Sequence, residues 1–445
     1  MQSFFNTVKI GEEELVRKNS VFLSFHCEVI TIRARFQPRK ALFSLLSVAL
    51  LLIVSWRTPA AFGEELLCGI DQLDSSGCRE LSGLRVALVS NAMSRSKTGE
   101  PSYALLLRHG TKLKFLMAPE HGFLADIEAG KKVGRSVVSD TIPVFSLYGA
   151  SKKPDIQQLR QIDLLLFDLQ DIGTRCYTYI STMKYAMEAC EQAGIAFMVL
   201  DRPNPVAPLA PGGFMVMPGY ESFVGAVNIP FVHAMTTGEI ALLLQKECYG
   251  KLDLRVIPMK GYKRNRFADE HQGFTFRTPS PNIKNIETAI VYPATVFFEA
   301  TAVSEGRGTD APFMQFGAPF IDSNELLGAV RRYRLPGVLF NSVLFTPRSG
   351  KYRGELCHGL KLNLSNRRTF NPFSTATALL LELQRLYPEK IMLDQNGKFF
   401  DRLAGSPRFR EMIKTQLPLQ AVMEESLKQR EAFMHSTSAN RFLYP

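Results

Sequence analysis

From about residue 83 the chain alternates short apolar runs with amphipathic stretches. "LRVALVSN", "KLKFLM", "IPVFSLY", "DLLLFDLQ", "IAFMVLD" and "LDLRVIPM" read as strands. "SYALLLRHG", "RCYTYISTMKYAMEACEQAG" and "TTGEIALLLQKEC" lie between them and read as helices. Uniformly apolar strands separated by helices predict an α/β fold with a parallel sheet covered on both faces. Right-handed crossovers gather the carboxyl ends of such strands along one edge, where open α/β sheets bind ligands. Here those ends are polar: "SN", "APEHG", "SLYG", "DLQD" and "LDRPNP".

The pattern changes after the Pro/Asn-rich "TPSPNIKN" at 278–285, which reads as a linker or shaped hinge. Mixed elements follow, with a clear helix at "STATALLLELQRLYP". The expected organisation is a sheet domain at 64–285 and a second domain at 286–445. At 445 residues the chain exceeds the ~250–300 at which single cores stop growing, which fits two domains. Residues 1–63 read as an N-terminal extension ending in an export signal. "ARFQPRK" supplies positive charge, the 16 residues 41–56 an apolar core, and Ala61 and Gly63 small residues at a cleavage site. That core is short against the ~20 residues of a membrane helix. The expected location is therefore exported, periplasmic or cell-envelope associated, with no stable membrane span once the signal is removed.

A composition of 46% hydrophobic and 21% charged residues excludes global disorder. The net charge of +11 favours anionic partners, yet the basic residues are dispersed and not interleaved with aromatics, which argues against nucleic acid. Export would permit a disulfide between Cys68 and Cys78. Cys176, Ile180, Met183, Met187 and Cys190 recur at helical spacing. Fourteen helical residues separate Cys176 from Cys190 by ~21 Å, so both read as packing residues.

Chemistry concentrates at the strand ends. In "APEHGF" Pro119 stiffens the exit and Gly122 loosens it, leaving Glu120 and His121 on a shaped loop. Asp168, Asp171 and Asp201 supply further carboxylates. Two such groups commonly cleave a glycosidic bond, one giving a proton to the leaving oxygen and the other handling water or the anomeric carbon. Asp beside a turn is commonly a cap, and Asp201 before "RPNP" reads as one. "DLQDIGTRCYTYIST" gathers Gln170, Asp171, Arg175 and Tyr177 at a helix start. Arg175 could grip a carboxylate in a two-pronged pair, or bridge to Asp171. "EATAVSEGRGT" at 299–309 reads as a polar loop, either binding or solvated. His121 and His233, with Glu120 or Asp171, give a metal reading, but their spacing fits no local metal motif. No G-x-S-x-G nucleophile is present.

Taken in order, "APEHGF", "PVFSLYG", "DLQDIGTRCYTYISTM", "VLDRPNP", "SFVG", "HAMTTGE", "TPSPN", "SEGRGT" and "GELCHG" resemble the exo-β-N-acetylmuramidase family over roughly residues 80–445. Members remove terminal N-acetylmuramic acid from peptidoglycan fragments. The resemblance implies a Rossmann-like sheet domain and a smaller α+β domain that completes a cleft, with no cofactor and no metal. It implies a peptidoglycan-derived sugar or muropeptide as substrate and a proton-donor role for Glu120. The partner carboxylate is expected at Glu305, then Glu299, then Asp171. Substrate contacts are expected from His121, Gln170, Arg175, Tyr177, Arg202, Asn204, His233, Asn282 and Arg307, with Arg175, Arg202 or Arg307 pairing with the sugar's lactyl carboxylate. The sequence departs from the family pattern in four places. Leu124 and Ala125 replace Arg-Gly after "PEHGF", and Ala234 replaces the glycine of "HGMT". "EGTN" becomes "EATA", and a glutamate expected after "DRPNP" is absent from "VAPLAPGGFMVMPG". A second reading is a catalytically silent protein of the same fold that binds peptidoglycan fragments.

Overall fold

Alternate residues of the central strands serve two different cores. Ala87, Val89, Phe115, Met117, Leu165 and Phe167 face one of them. Val86, Leu88, Leu116, Leu164 and Leu166 face the other. Side chains alternate across a strand, so an unbroken apolar run is what a sheet covered on both sides requires. The computed structural model describes residues 64–131, 136–138, 141–149, 151–437 and 443–445. The export segment, including the apolar run 41–56, lies outside the described residues.

The strands are β1 (Arg85–Ser90), β2 (Lys112–Ala118), β3 (Ser136–Val138), β4 (Ile142–Ser146), β5 (Leu164–Asp168), β6 (Ala196–Leu200) and β7 (Leu254–Ile257). They form one sheet in the order β3-β4-β2-β1-β5-β6-β7. All neighbours pair in parallel except β3, which runs antiparallel to β4 at the edge. The expected α/β fold is thus present. The order steps outward from β1 through β2 to β4, then resumes on β1's other side with β5. That reversal opens a crevice at the carboxyl ends of the strands.

The helix expected from Cys176 begins at Tyr179 and ends at Ala193, before Gly194 in the left-handed region. Cys176, Tyr177 and Thr178 instead form the turn leading into it. Thr237–Cys248 is closed by a capping box between Thr236 and Glu239, the N-terminal signature legible in "TTGE".

Beyond residue 286 three antiparallel strands, β8 (Gln315–Ala318), β9 (Val338–Phe345) and β10 (Cys357–Leu364), form a small sheet ordered β8-β10-β9. Helix Ser323–Arg331 packs on β9 and β10, and helix Pro372–Leu386 packs in turn against it, against Ile286–Thr295 and against Leu419–Thr437. This α+β part shares its core with the first. Phe231 stacks on Phe297 with ring centroids 4.6 Å apart, and Phe214 lies 5.8 Å from Phe373. The segment read as a linker is built into the molecule: Ser280 and Ile283 are buried, and the Pro279 carbonyl accepts from the Tyr179 hydroxyl. Cys68 and Cys78 are not joined; all six described cysteines are free thiols. Among the described residues no helix is long and apolar enough to cross a membrane.

Candidate active site

Glu120 lies just beyond β2 with 6% of its surface exposed. Its Oε1 accepts from the Gly130 amide at 2.9 Å and its Oε2 from the Thr178 hydroxyl at 2.7 Å. Tyr148, just beyond β4, lies near enough to feel its charge. Burial, followed by the Glu120 charge, pushes the Tyr148 phenol up to about 12, so this hydroxyl keeps its proton. Glu120 thus accepts from one backbone amide and one hydroxyl.

His121 adopts a left-handed backbone, φ 73°, before Gly122 at φ 75°. Its Nδ1 lies 2.7 Å from the Ile127 carbonyl, which can only accept, so Nδ1 carries the proton and Nε2 the lone pair. Burial lowers the imidazole's pKa and favours that neutral form.

The second half contributes the loop "SEGRG". Gly306 and Gly308 both have positive φ, and a Cβ on Gly308 would sit 2.4 Å from the Ser349 carbonyl oxygen. Only glycine fits there, and the tight turn projects Arg307 between two carboxylates. Its guanidinium lies 2.6 Å from Glu299 Oε1 and 3.1 Å from Glu305 Oε1. Lys351 Nζ holds Glu305 Oε2 at 3.3 Å and the carbonyls of Phe298 and Val303. Both Glu305 oxygens are thus engaged. Glu299 keeps a fifth of its side chain open and has one oxygen free of any described hydrogen bond or ion pair. Burial raises the Glu299 pKa, opposed by Arg307 and reinforced by the Glu305 charge.

These groups line one cavity of about 600 Å³. It brings together Glu120, His121, Tyr177, Asn282, Glu299, Glu305 and Arg307 from the expected set. It also recruits Tyr148, Thr178, Phe223, Tyr292 and Lys351. "SFVG" and "SLYG" pointed toward Phe223 and Tyr148; nothing local in the sequence marks Lys351, which arrives from the far half of the chain.

Six expected residues lie elsewhere. Arg175, 1% exposed, gives its terminal nitrogens to the carbonyls of Phe214, Ile229, Leu403 and Ala404. It ties the two halves together and, with only its buried Nε left over, stands outside the cavity. Arg202 clamps Asp168 from two nitrogens, with Nη2–Oδ2 at 2.9 Å. Gln170 Nε2 donates to the Asp171 and Pro203 carbonyls. Arg202 and Gln170 line a separate small pocket. Asn204 is buried, its side chain donating to Met235 and accepting from Val206. Asp171 accepts from the Gly173 amide at 2.6 Å and sits 3.3 Å from His233 Nε2, outside the carboxylate cavity. His233 borders a third, apolar pocket and is apart from His121. No group of three or more His, Cys, Asp or Glu among the described residues is placed to hold a metal ion. Asp201 does cap, accepting from Thr236, Thr237 and the Gly238 amide. The segment lacking the expected glutamate lines the apolar pocket at 207–211 and not the carboxylate cavity.

An open α/β sheet whose strand-end carboxylate shares one cavity with an acid pair from a smaller α+β part has the groups that a carbohydrate-cleaving enzyme uses. Comparison with known proteins places the chain. Family models for the exo-β-N-acetylmuramidase NamZ match its N-terminal part at residues 86–287 and its C-terminal part at 290–444. The chain belongs to that family. It is 42% identical over 366 residues to the peptidoglycan β-N-acetylmuramidase NamZ of Bacillus subtilis, covering 81% of this chain and 88% of that one. Crystal structures of two DUF1343 family proteins from Bacteroides fragilis are similar in fold, at 31% and 28% identity with TM-scores of 0.79 and 0.68. Each match covers 86% of this chain and 99% of the other.

Proposed function

We propose that this protein is an exported glycoside hydrolase that removes terminal, non-reducing N-acetylmuramic acid from peptidoglycan fragments. One observation carries the reading. Glu120 from the sheet edge and the Glu299–Glu305 pair from the second half converge on a single cavity large enough for sugar rings. Glycosidic cleavage needs a carboxyl that gives a proton to the leaving oxygen and a carboxylate on the other side of the anomeric carbon. Glu299, its pKa raised by burial and one oxygen uncommitted, is the proton donor in this reading. Glu120, surrounded by donors, is the carboxylate that faces the anomeric carbon or its water. Glu305, held by Arg307 and Lys351, fixes Arg307 against Glu299 and so positions the acid. Export and a periplasmic or cell-envelope location are part of the proposal; the charged-apolar-small order of residues up to 63 supports them.

The test is release of a chromogenic aglycone from an N-acetylmuramic acid glycoside by the purified protein. Turnover by the wild type and its loss in Glu120→Gln are expected. Equal rates in both would overturn the reading, and binding of fragments with no release over days would favour the silent-binder alternative.

A further inference from the structure

The cavity's cations fall into two groups. Arg307 and Lys351 are tied to Glu299 and Glu305. Lys152 and Arg402 also line the cavity, and neither has a carboxylate partner or a hydrogen bond among the described residues. Lys152 Nζ sits 4.2 Å from the Phe223 ring centroid and 5.3 Å from that of Tyr148. Arg402 is exposed. Both border the same turn, Ser222–Gly225. Phe223 reaches from it to Lys152, while a Cβ on Gly225 would lie 3.2 Å from the Arg402 carbonyl. Tyr148 links this wall to the chemistry, since its ring lies 5.6 Å from Phe223 and it lines the same cavity as Glu120.

We infer that Lys152 and Arg402, flanking Phe223, are the specificity-determining cations that bind the lactyl carboxylate of the substrate. The inference rests on the function proposed above and deepens it. N-acetylmuramic acid differs from N-acetylglucosamine only by its lactyl ether, so discrimination between them must come from groups that recognise that arm, and its free carboxylate is the one charge it carries. Within this cavity Arg307 cannot serve without releasing two buried acids, and Arg175 and Arg202 lie outside it. Lys152 and Arg402 have charge to offer at no such cost. The Phe223 ring gives the sugar's apolar face a surface beside them. A lysine and an arginine on one wall also make the arrangement one-sided: the charged arm must point toward Ser222–Gly225, which orients the ring relative to Glu120.

Calorimetry with free N-acetylmuramic acid, its lactyl methyl ester and N-acetylglucosamine tests the assignment. In the wild type the acid should bind about 10- to 100-fold more tightly than the ester, the range for hydrogen bonds to a charged group. In the Lys152→Met/Arg402→Met double variant, checked for an unchanged melting temperature, acid and ester should bind alike. Lys152→Arg should keep most of the preference. Equal binding of acid and ester by the wild type, or a preference that survives in the double variant, overturns this inference alone. No binding of any of the sugars by the wild type overturns both it and the functional reading.

Discussion

The Thr178 hydroxyl donates to Glu120 Oε2 at 2.7 Å, joining the turn before the helix Tyr179–Ala193 to the loop that leaves β2. Two segments 58 residues apart in sequence thereby fix one carboxylate, with the Gly130 amide donating to its other oxygen. Glu120→Gln should lower kcat by ~10³-fold or more with little change in KM, because the amide keeps the shape but cannot serve as the carboxylate. Thr178→Val should cost less, about 10-fold, through lost orientation of a group that remains. Steady-state kinetics check both.

The roles of Glu120 and Glu299 separate by leaving group. A nitrophenolate departs without a proton, whereas a sugar alcohol does not. Glu299→Ala should therefore retain most of its first-step rate on an activated aryl glycoside and lose about 10²- to 10⁴-fold on a disaccharide. Glu120→Ala should lose both equally. The opposite pattern would exchange the two assignments.

The pH profile follows from the direction of the Glu299 shift. Its pKa is raised by burial, and the proposed active form is protonated. Activity on a disaccharide should therefore be present below that raised pKa and fall as pH climbs through it, above the ordinary carboxylate range. Arg307→Met removes the cation that favours ionised Glu299, so the alkaline limb should move to higher pH. A profile of kcat/KM for wild type and variant measures the shift.

Arg202 clamps a buried Asp168 away from the cavity. Arg202→Met should cost about 3–5 kcal/mol of stability, because it strands a buried carboxylate. The KM of the molecules that fold should not change. Denaturant unfolding alongside kinetics distinguishes this from the substrate-binding role that the motif suggested.

Two of the departures from the family pattern fall on strained backbone. Ala125 and Ala234, where the family has glycine, have φ of 59° and 53°. A Cβ in the left-handed region costs about 1–2 kcal/mol, offset by glycine's greater freedom in the unfolded chain. Ala125→Gly and Ala234→Gly should each raise the melting temperature or leave it unchanged. A clear loss of stability at both sites would contradict the strain.

The alternation of apolar runs with amphipathic ones determined the parallel sheet and the polar edge, because burial on both faces leaves a local trace in every strand. "APEHGF" and "SEGRGT" likewise marked where acids and left-handed glycines would fall, since turn chemistry is local. Which motif residues meet was decided by tertiary structure alone. Arg175 shares a motif with Tyr177, and Arg202 and Asn204 sit in another as conspicuous, yet their hydrogen-bonding groups go to buried carbonyls, an amide and a carboxylate of the scaffold. Lys351 and Arg402, in unremarkable sequence, reach the cavity because the second half shares a core with the first and folds back over the sheet edge. A sequence window reports what one segment needs for itself. Arg202 meets Asp168 across 34 residues, Lys351 meets Glu305 across 46 and Arg175 reaches the Leu403 carbonyl across 228, and no local pattern encodes such contacts.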